Sequence, residues 1–155
     1  MSEQKSPARA GGAIDLSALD TGVSCDAPST LEVLHPATEE PTGVQIDLLG
    51  TDSAVARQMR REFSRTRLKQ LGRKGKLELT PEQVEREQVE LLAALTTGWR
   101  NLSWKGEPLE FSRANARMLY EALPWLRDQV QEHVGDLGAY LGNSGGASAP
   151  LSVIT

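Results

Sequence analysis

Two histidines, a single cysteine and a spread of carboxylates are the groups in these 155 residues that could do chemistry. Hydrolysis or group transfer needs a nucleophile with a base, or paired acids, converging on one pocket. His35 falls in the turn-forming stretch HPATEEPTG, and His133 falls on the apolar face of a helical pattern, where a packing role is the favoured reading. One cysteine, Cys25, and two distant histidines match no zinc-ligand spacing. Gly11-Gly12 and Gly145-Gly146 do not lie between a strand and a helix, as a phosphate loop would. The residues point away from an enzyme and call for no cofactor or metal.

The distribution of charge is more informative. The formal net charge is -4, which argues against a generally basic nucleic-acid binder. Residues 1–50 hold eight acids and two bases, and residues 77–155 hold eleven acids and six bases. Between them, residues 51–76 carry nine bases against only Asp52 and Glu62. Arg57, Arg61 and Arg65 recur every four residues, as do Val55, Met59 and Phe63, which gives a helix with a narrow apolar stripe and a cationic opposite face. Three readings are open: a solvated face balanced by the Glu-rich helix that follows, a docking face for an acidic protein, or a nucleic-acid contact. The one aromatic here, Phe63, falls on the apolar stripe and not on the arginine face where it would stack on bases, which favours protein over nucleic acid.

The elements that must position these residues form a small α+β domain over residues 30–141. Residues 1–29 are rich in Ser, Gly, Ala and Asp and are expected to be a disordered extension. TLEVL and VQIDLLG flank the Pro/Gly turn and predict a β-hairpin over 30–50, with Leu31, Val33, Val44, Ile46 and Leu48 on one face. An isolated two-stranded ribbon is marginal, so the hairpin must pack on a helix or pair with another chain's edge. About four helices follow. The first, 53–71, is capped by Asp52 or Ser53 and stopped by Gly72; the second, 81–97, starts at Thr80-Pro81-Glu82-Gln83 and ends at Gly98. The third, 113–123, is capped by Ser112, and Pro124 breaks it and opens a fourth, 124–141, weakened by Gly135 and Gly138. Residues 142–155 read as a flexible tail.

Gly98 to Gly142 holds all three tryptophans, both tyrosines and one of the two phenylalanines, so it is the core-forming stretch. An aromatic share of 5% and a mean hydropathy of -0.38 make that core modest. Trp99 and Trp104 near a turn serve as core or as a binding patch. No stretch is long and apolar enough to span a bilayer, no apolar leader is present, and one cysteine suits a reducing interior, so a soluble, unsecreted protein with no membrane partner is expected.

EVLHPATEEPTGVQIDLLGTDS, the arginine-rich helix, and ELLAALTTGWRNLSWKGEPLEFSRANARMLYEALPWLRDQV together resemble the tail assembly chaperones of long-tailed bacteriophages. The likeness covers about residues 30–142, with several motifs in the same order. It implies a non-enzymatic assembly factor of the host cytoplasm. Such factors bind the long, helical tape measure protein, help recruit tail tube subunits around it, and leave before the virion is finished. It also implies self-association into rings or short spirals, and a longer form made by ribosomal frameshifting near the Gly/Ser-rich end. Two features depart from the family pattern: the 1–29 extension, and Arg113-Ala114 where Pro-Glu is common. On this reading Val55, Met59, Phe63, Trp99 and Trp104 contact the client or sister subunits, with Arg57, Arg61 and Arg65 steering.

Overall fold

A computed structural model describes residues 13–77 and 79–145, with side chains through Gly142. Its order is a 3-10 turn (Leu16–Leu19), α1 (Thr21–Cys25), β1 (Ser29–Leu34), β2 (Pro41–Leu48), α2 (Ala54–Lys74), α3 (Pro81–Leu95), β3 (Thr96–Arg100), β4 (Ser103–Trp104), β5 (Glu107–Pro108), α4 (Arg113–Ala122), α5 (Pro124–Val134) and α6 (Leu137–Gly145). The α+β class and the hairpin are as the sequence predicts. The described residues hold six α-helices rather than about four.

β1 and β2 pair antiparallel with Leu31 opposite Ile46, and an irregularity between Glu32 and Leu34 shifts the register. Val33, Ile46 and Leu48 are buried, while Thr30 and Glu32 face outward. The ribbon gains the partner it needs from an unanticipated strand. β3 pairs antiparallel with β2, giving the order β1-β2-β3, with Ile46 opposite Trp99 and Asp47 opposite Gly98. The helix expected to reach residue 97 therefore ends at Leu95. Thr96 is extended, its hydroxyl donates to the Leu92 carbonyl, and it lies 2.8 Å from the Tyr120 hydroxyl. Gly98 is a strand residue, not a helix stop. Two adjacent β-branched threonines and a tryptophan favour a strand once a free sheet edge is beside them.

The remaining helix boundaries follow local chemistry. The Ser53 hydroxyl, rather than Asp52, accepts from Ala56 N–H at the start of α2. α2 passes through Gly72 and ends where Gly75, at φ 75°, closes the left-handed cap on the Leu71 carbonyl. Thr80 caps α3 by accepting from Gln83 N–H, and Ser112 caps α4 by accepting from Asn115 N–H. The fourth expected helix is two: α5 stops at Val134, and the Asp136 carboxylate accepts from Gly138 N–H as α6 begins. That break turns Tyr140 inward, where it is fully buried.

Within the stretch expected to be disordered, residues 1–12 lie outside the described residues, residues 13–20 are exposed, and residues 21–29 are folded onto the domain. Cys25 is fully buried, Thr21 Oγ1 donates to Asp52 Oδ2 at 2.5 Å, and Ala54 N–H donates to Asp26 Oδ1 at 2.8 Å. Gly50 is required at this junction, because a Cβ there would collide with the Cys25 side chain. The expected tail begins inside α6, and residues 146–155 lie outside the described residues.

The core joins one sheet face to α3, α4 and α5 through Ile46, Leu48, Leu92, Leu95, Leu119, Tyr120 and Val130. Among the described residues no helix is long and apolar enough to cross a membrane.

Candidate partner-binding surface

α2 is 21 residues long, about 32 Å at 1.5 Å per residue, yet Ala56 is its only buried residue. Its inner side reads Ala56, Met59, Phe63, Arg67 and Gln70, a helical stripe of which all but Ala56 are half-buried. Val55 stands beside this stripe and is exposed, so the four-residue spacing of Val55, Met59 and Phe63 does not describe one buried line. Phe63, with Val84 and Leu91 of α3, lines a slot of about 410 Å³ between the two helices, edged by Arg60 and Gln88 and bridged by the Arg67–Glu87 ion pair.

The arginines divide by what holds them. Arg57 Nη1 donates to the Asp52 carbonyl at 2.6 Å, and Arg60 donates to the Thr51 carbonyl at 2.9 Å and to Thr51 Oγ1 at 2.5 Å. Both brace the helix start through neutral acceptors and keep their charge unmatched. Arg61 donates to Gln58 Oε1 at 2.9 Å. The side chains of Arg65 and Lys69 have no hydrogen bond or ion pair among the described residues.

The Glu-rich helix does not supply the missing negative charge. Glu90 of α3 accepts from Arg117 Nε of α4 at 2.6 Å, and Glu85 lies 3.1 Å from Arg127 Nη1 of α5. Only Glu87 turns to α2, to meet Arg67. Elsewhere a basic side chain is matched directly: Arg100 bonds both Asp47 carboxylate oxygens, at 2.8 and 3.2 Å, and with Thr30 holds that carboxyl below its ordinary value despite partial burial. Of the α2 bases, Arg67 is thus the one that α3 balances with an ion pair among the described residues.

Trp99 and Trp104 belong to a different part of the molecule. Trp99 Nε1 donates to the Leu109 carbonyl at 2.8 Å, and its ring meets Phe111 edge-on at 5.1 Å between centroids. Trp104 is half-buried in the β4–β5 hairpin, whose turn uses positive φ at Lys105 and Gly106, and the Lys105 ammonium sits 5.9 Å from its ring centroid. Both tryptophans pack against the core, and their bonded and ring partners lie in their own loop.

The apolar tip of the α2–α3 arm was not anticipated. Leu68, at 67% exposure, is followed by Leu71, Leu77, Leu79 and Val84, all more than 40% exposed. Its sequence signal is weak, since single leucines set among bases carry no helical period.

The histidines each have a local task. His35 Nδ1 accepts from Ala37 and Thr38 N–H in the hairpin turn, and His133 Nε2 lies 3.1 Å from Ser29 Oγ. Among the described residues no three His, Cys, Asp or Glu side chains gather as a metal site. Compared with known protein families, with curated proteins and with solved structures, the chain matches none.

Proposed function

We propose that this chain is a non-enzymatic assembly chaperone of bacteriophage tail morphogenesis, acting in the host cytoplasm. It binds the tape measure protein through the α2–α3 arm, and it helps recruit tail tube subunits before leaving the particle. What supports this reading is the commitment of Glu85 and Glu90 to Arg127 and Arg117, which leaves the bases of α2 other than Arg67 without an ion pair among the described residues. Exposed, widely spaced leucines on the same arm suit a holding protein, which needs apolar surface dilute enough to stay dissolved. The phage assignment itself rests on the ordered sequence motifs.

Co-expression with the cognate tape measure protein, followed by pull-down, tests the reading. Capture and client solubility are expected with the native chain and lost with Phe63→Asp plus Arg61→Glu. Undiminished capture by that variant would show that the arm is not the binding surface. Mass spectrometry of purified virions is expected to lack the protein. Its presence there at stoichiometric copy number would make it a structural component, such as a connector or neck protein.

A further inference from the structure

The side of α2 turned away from α3 has an order of its own. At 100° per residue, Arg57, Arg61, Ser64, Arg65, Leu68 and Leu71 fall within about a third of the helix circumference. Arg60, Arg61, Ser64, Arg65 and Leu68 line a shallow groove of about 330 Å³ along it. The helix's one acid, Glu62, falls just outside the stripe on the Arg65 side and accepts from Gln58 Nε2 at 3.1 Å. The stripe is thus cationic at its start and apolar at its end, with Ser64 small enough to let a second helix backbone approach.

We infer that this outer stripe docks an acidic amphipathic helix of the client, one whose carboxylates, three or four residues apart, meet Arg61 and Arg65, and whose leucine-sized side chain two turns along covers Leu68. The inference rests on the chaperone reading and assigns its partner chemistry. Three observations select this occupant. Arg65 has no partner among the described residues and Arg61 has only a neutral one, so carboxylates gain charge-assisted bonds without displacing an ion pair. Leu68 and Leu71, 67% and 43% exposed, ask for apolar cover that a phosphate backbone does not provide. A helix of 21 residues presents a ridge that fits another helix, with Arg61 and Leu68 one pair of turns, about 10 Å, apart. Nucleic acid is the rival occupant, and the chain's net charge of -4 opposes it.

The probe is a synthetic helical peptide with Glu at positions i and i+4 and Leu at i+7 and i+8, against the same peptide with Lys replacing Glu. Binding to the full chain is followed by fluorescence anisotropy at 50 and 500 mM NaCl, with duplex DNA as a third probe. The acidic peptide is expected to bind at least about tenfold tighter than the lysine peptide at low salt, with the gap narrowing at high salt. Arg61→Glu plus Arg65→Glu should abolish that preference. Leu68→Ser should weaken binding about threefold to tenfold at both salt concentrations. All three positions are exposed, and circular dichroism checks that the variants keep their fold. Equal affinity for the two peptides, or DNA binding that is tighter than peptide binding and indifferent to Leu68→Ser, overturns the inference. Failure here is separable from failure of the chaperone reading: if the client is still captured by Arg61→Glu plus Arg65→Glu but not by Phe63→Asp, the client uses the inner slot instead.

Discussion

The Tyr140 hydroxyl donates to the Leu48 carbonyl at 2.9 Å, tying the last described helix to the central strand across 92 residues of chain. Both residues are fully buried, and burial raises the Tyr140 phenol well above its ordinary value. α6 is held to the domain by this bond and by its packing on α1.

Tyr140→Phe keeps the ring and deletes the donor, leaving the Leu48 carbonyl without that bond. A loss of about 1–2 kcal/mol is expected, read as a lower urea midpoint with an unchanged m-value. If the midpoint does not move, water or another donor satisfies the carbonyl.

At Gly50 the methyl group of alanine has no room beside Cys25. Gly50→Ala should destabilise by about 1–3 kcal/mol through overpacking. Cys25→Ala alone removes the buried thiol and leaves a small void, but combined with Gly50→Ala it removes the closest of the contacts, that with Sγ, while the contact with Cβ remains. The double variant should therefore be more stable than the sum of the single losses allows. Strict additivity in denaturation would mean that α1 does not press on the β2–α2 junction.

His133 sets the acid limb of stability. Burial pulls its imidazole below the ordinary value of 6.5, against the opposing influences of Asp136 and Ser29. The unfolded chain then binds the proton more readily than the folded one. The stabilising effect is complete above the unfolded value and is lost as pH falls through the lowered folded value. Melting temperature should fall from pH 7.5 to pH 5, and His133→Gln should flatten that limb. Asp47, also held low, acts in a separate window near and below its ordinary value of 3.8. Superimposable profiles for the two proteins would rule His133 out as the cause.

At high pH the sign reverses. Tyr120 is pushed up to about 12 by burial, against the bond to Thr96, so the folded chain holds its proton where the unfolded chain releases it. Stability should decline above about pH 10. Tyr120→Phe should be less stable at neutral pH yet lose less on going to pH 11, as seen in urea midpoints at the two pH values.

Several features were legible because their cause is local. Thr80-Pro81 opens α3, and Ser112 opens α4, since a side-chain oxygen caps the residue three further on whatever the surroundings. Alternation in TLEVL and VQIDLLG sets which face of the hairpin is buried. The nine bases in residues 51–76 likewise mark a cationic helix without reference to the rest of the chain.

Other features depend on partners distant in sequence. TTGWR becomes β3 only because β2 leaves an edge open beside it, and α6 leaves the line of α5 so that Tyr140 can reach Leu48. Cys25 and its neighbours, polar and unpatterned, are ordered by contacts with Gly50, Asp52 and Ala54. The same holds for the candidate surface. Sequence by itself determined that α2 is basic and thinly apolar, because charge and spacing are properties of the residues. Only the tertiary structure decided that most of this charge stays unmatched among the described residues, because whether a glutamate neutralises an arginine depends on which way its helix turns, and α3 turns Glu87 to Arg67 but Glu85 and Glu90 toward α5 and α4.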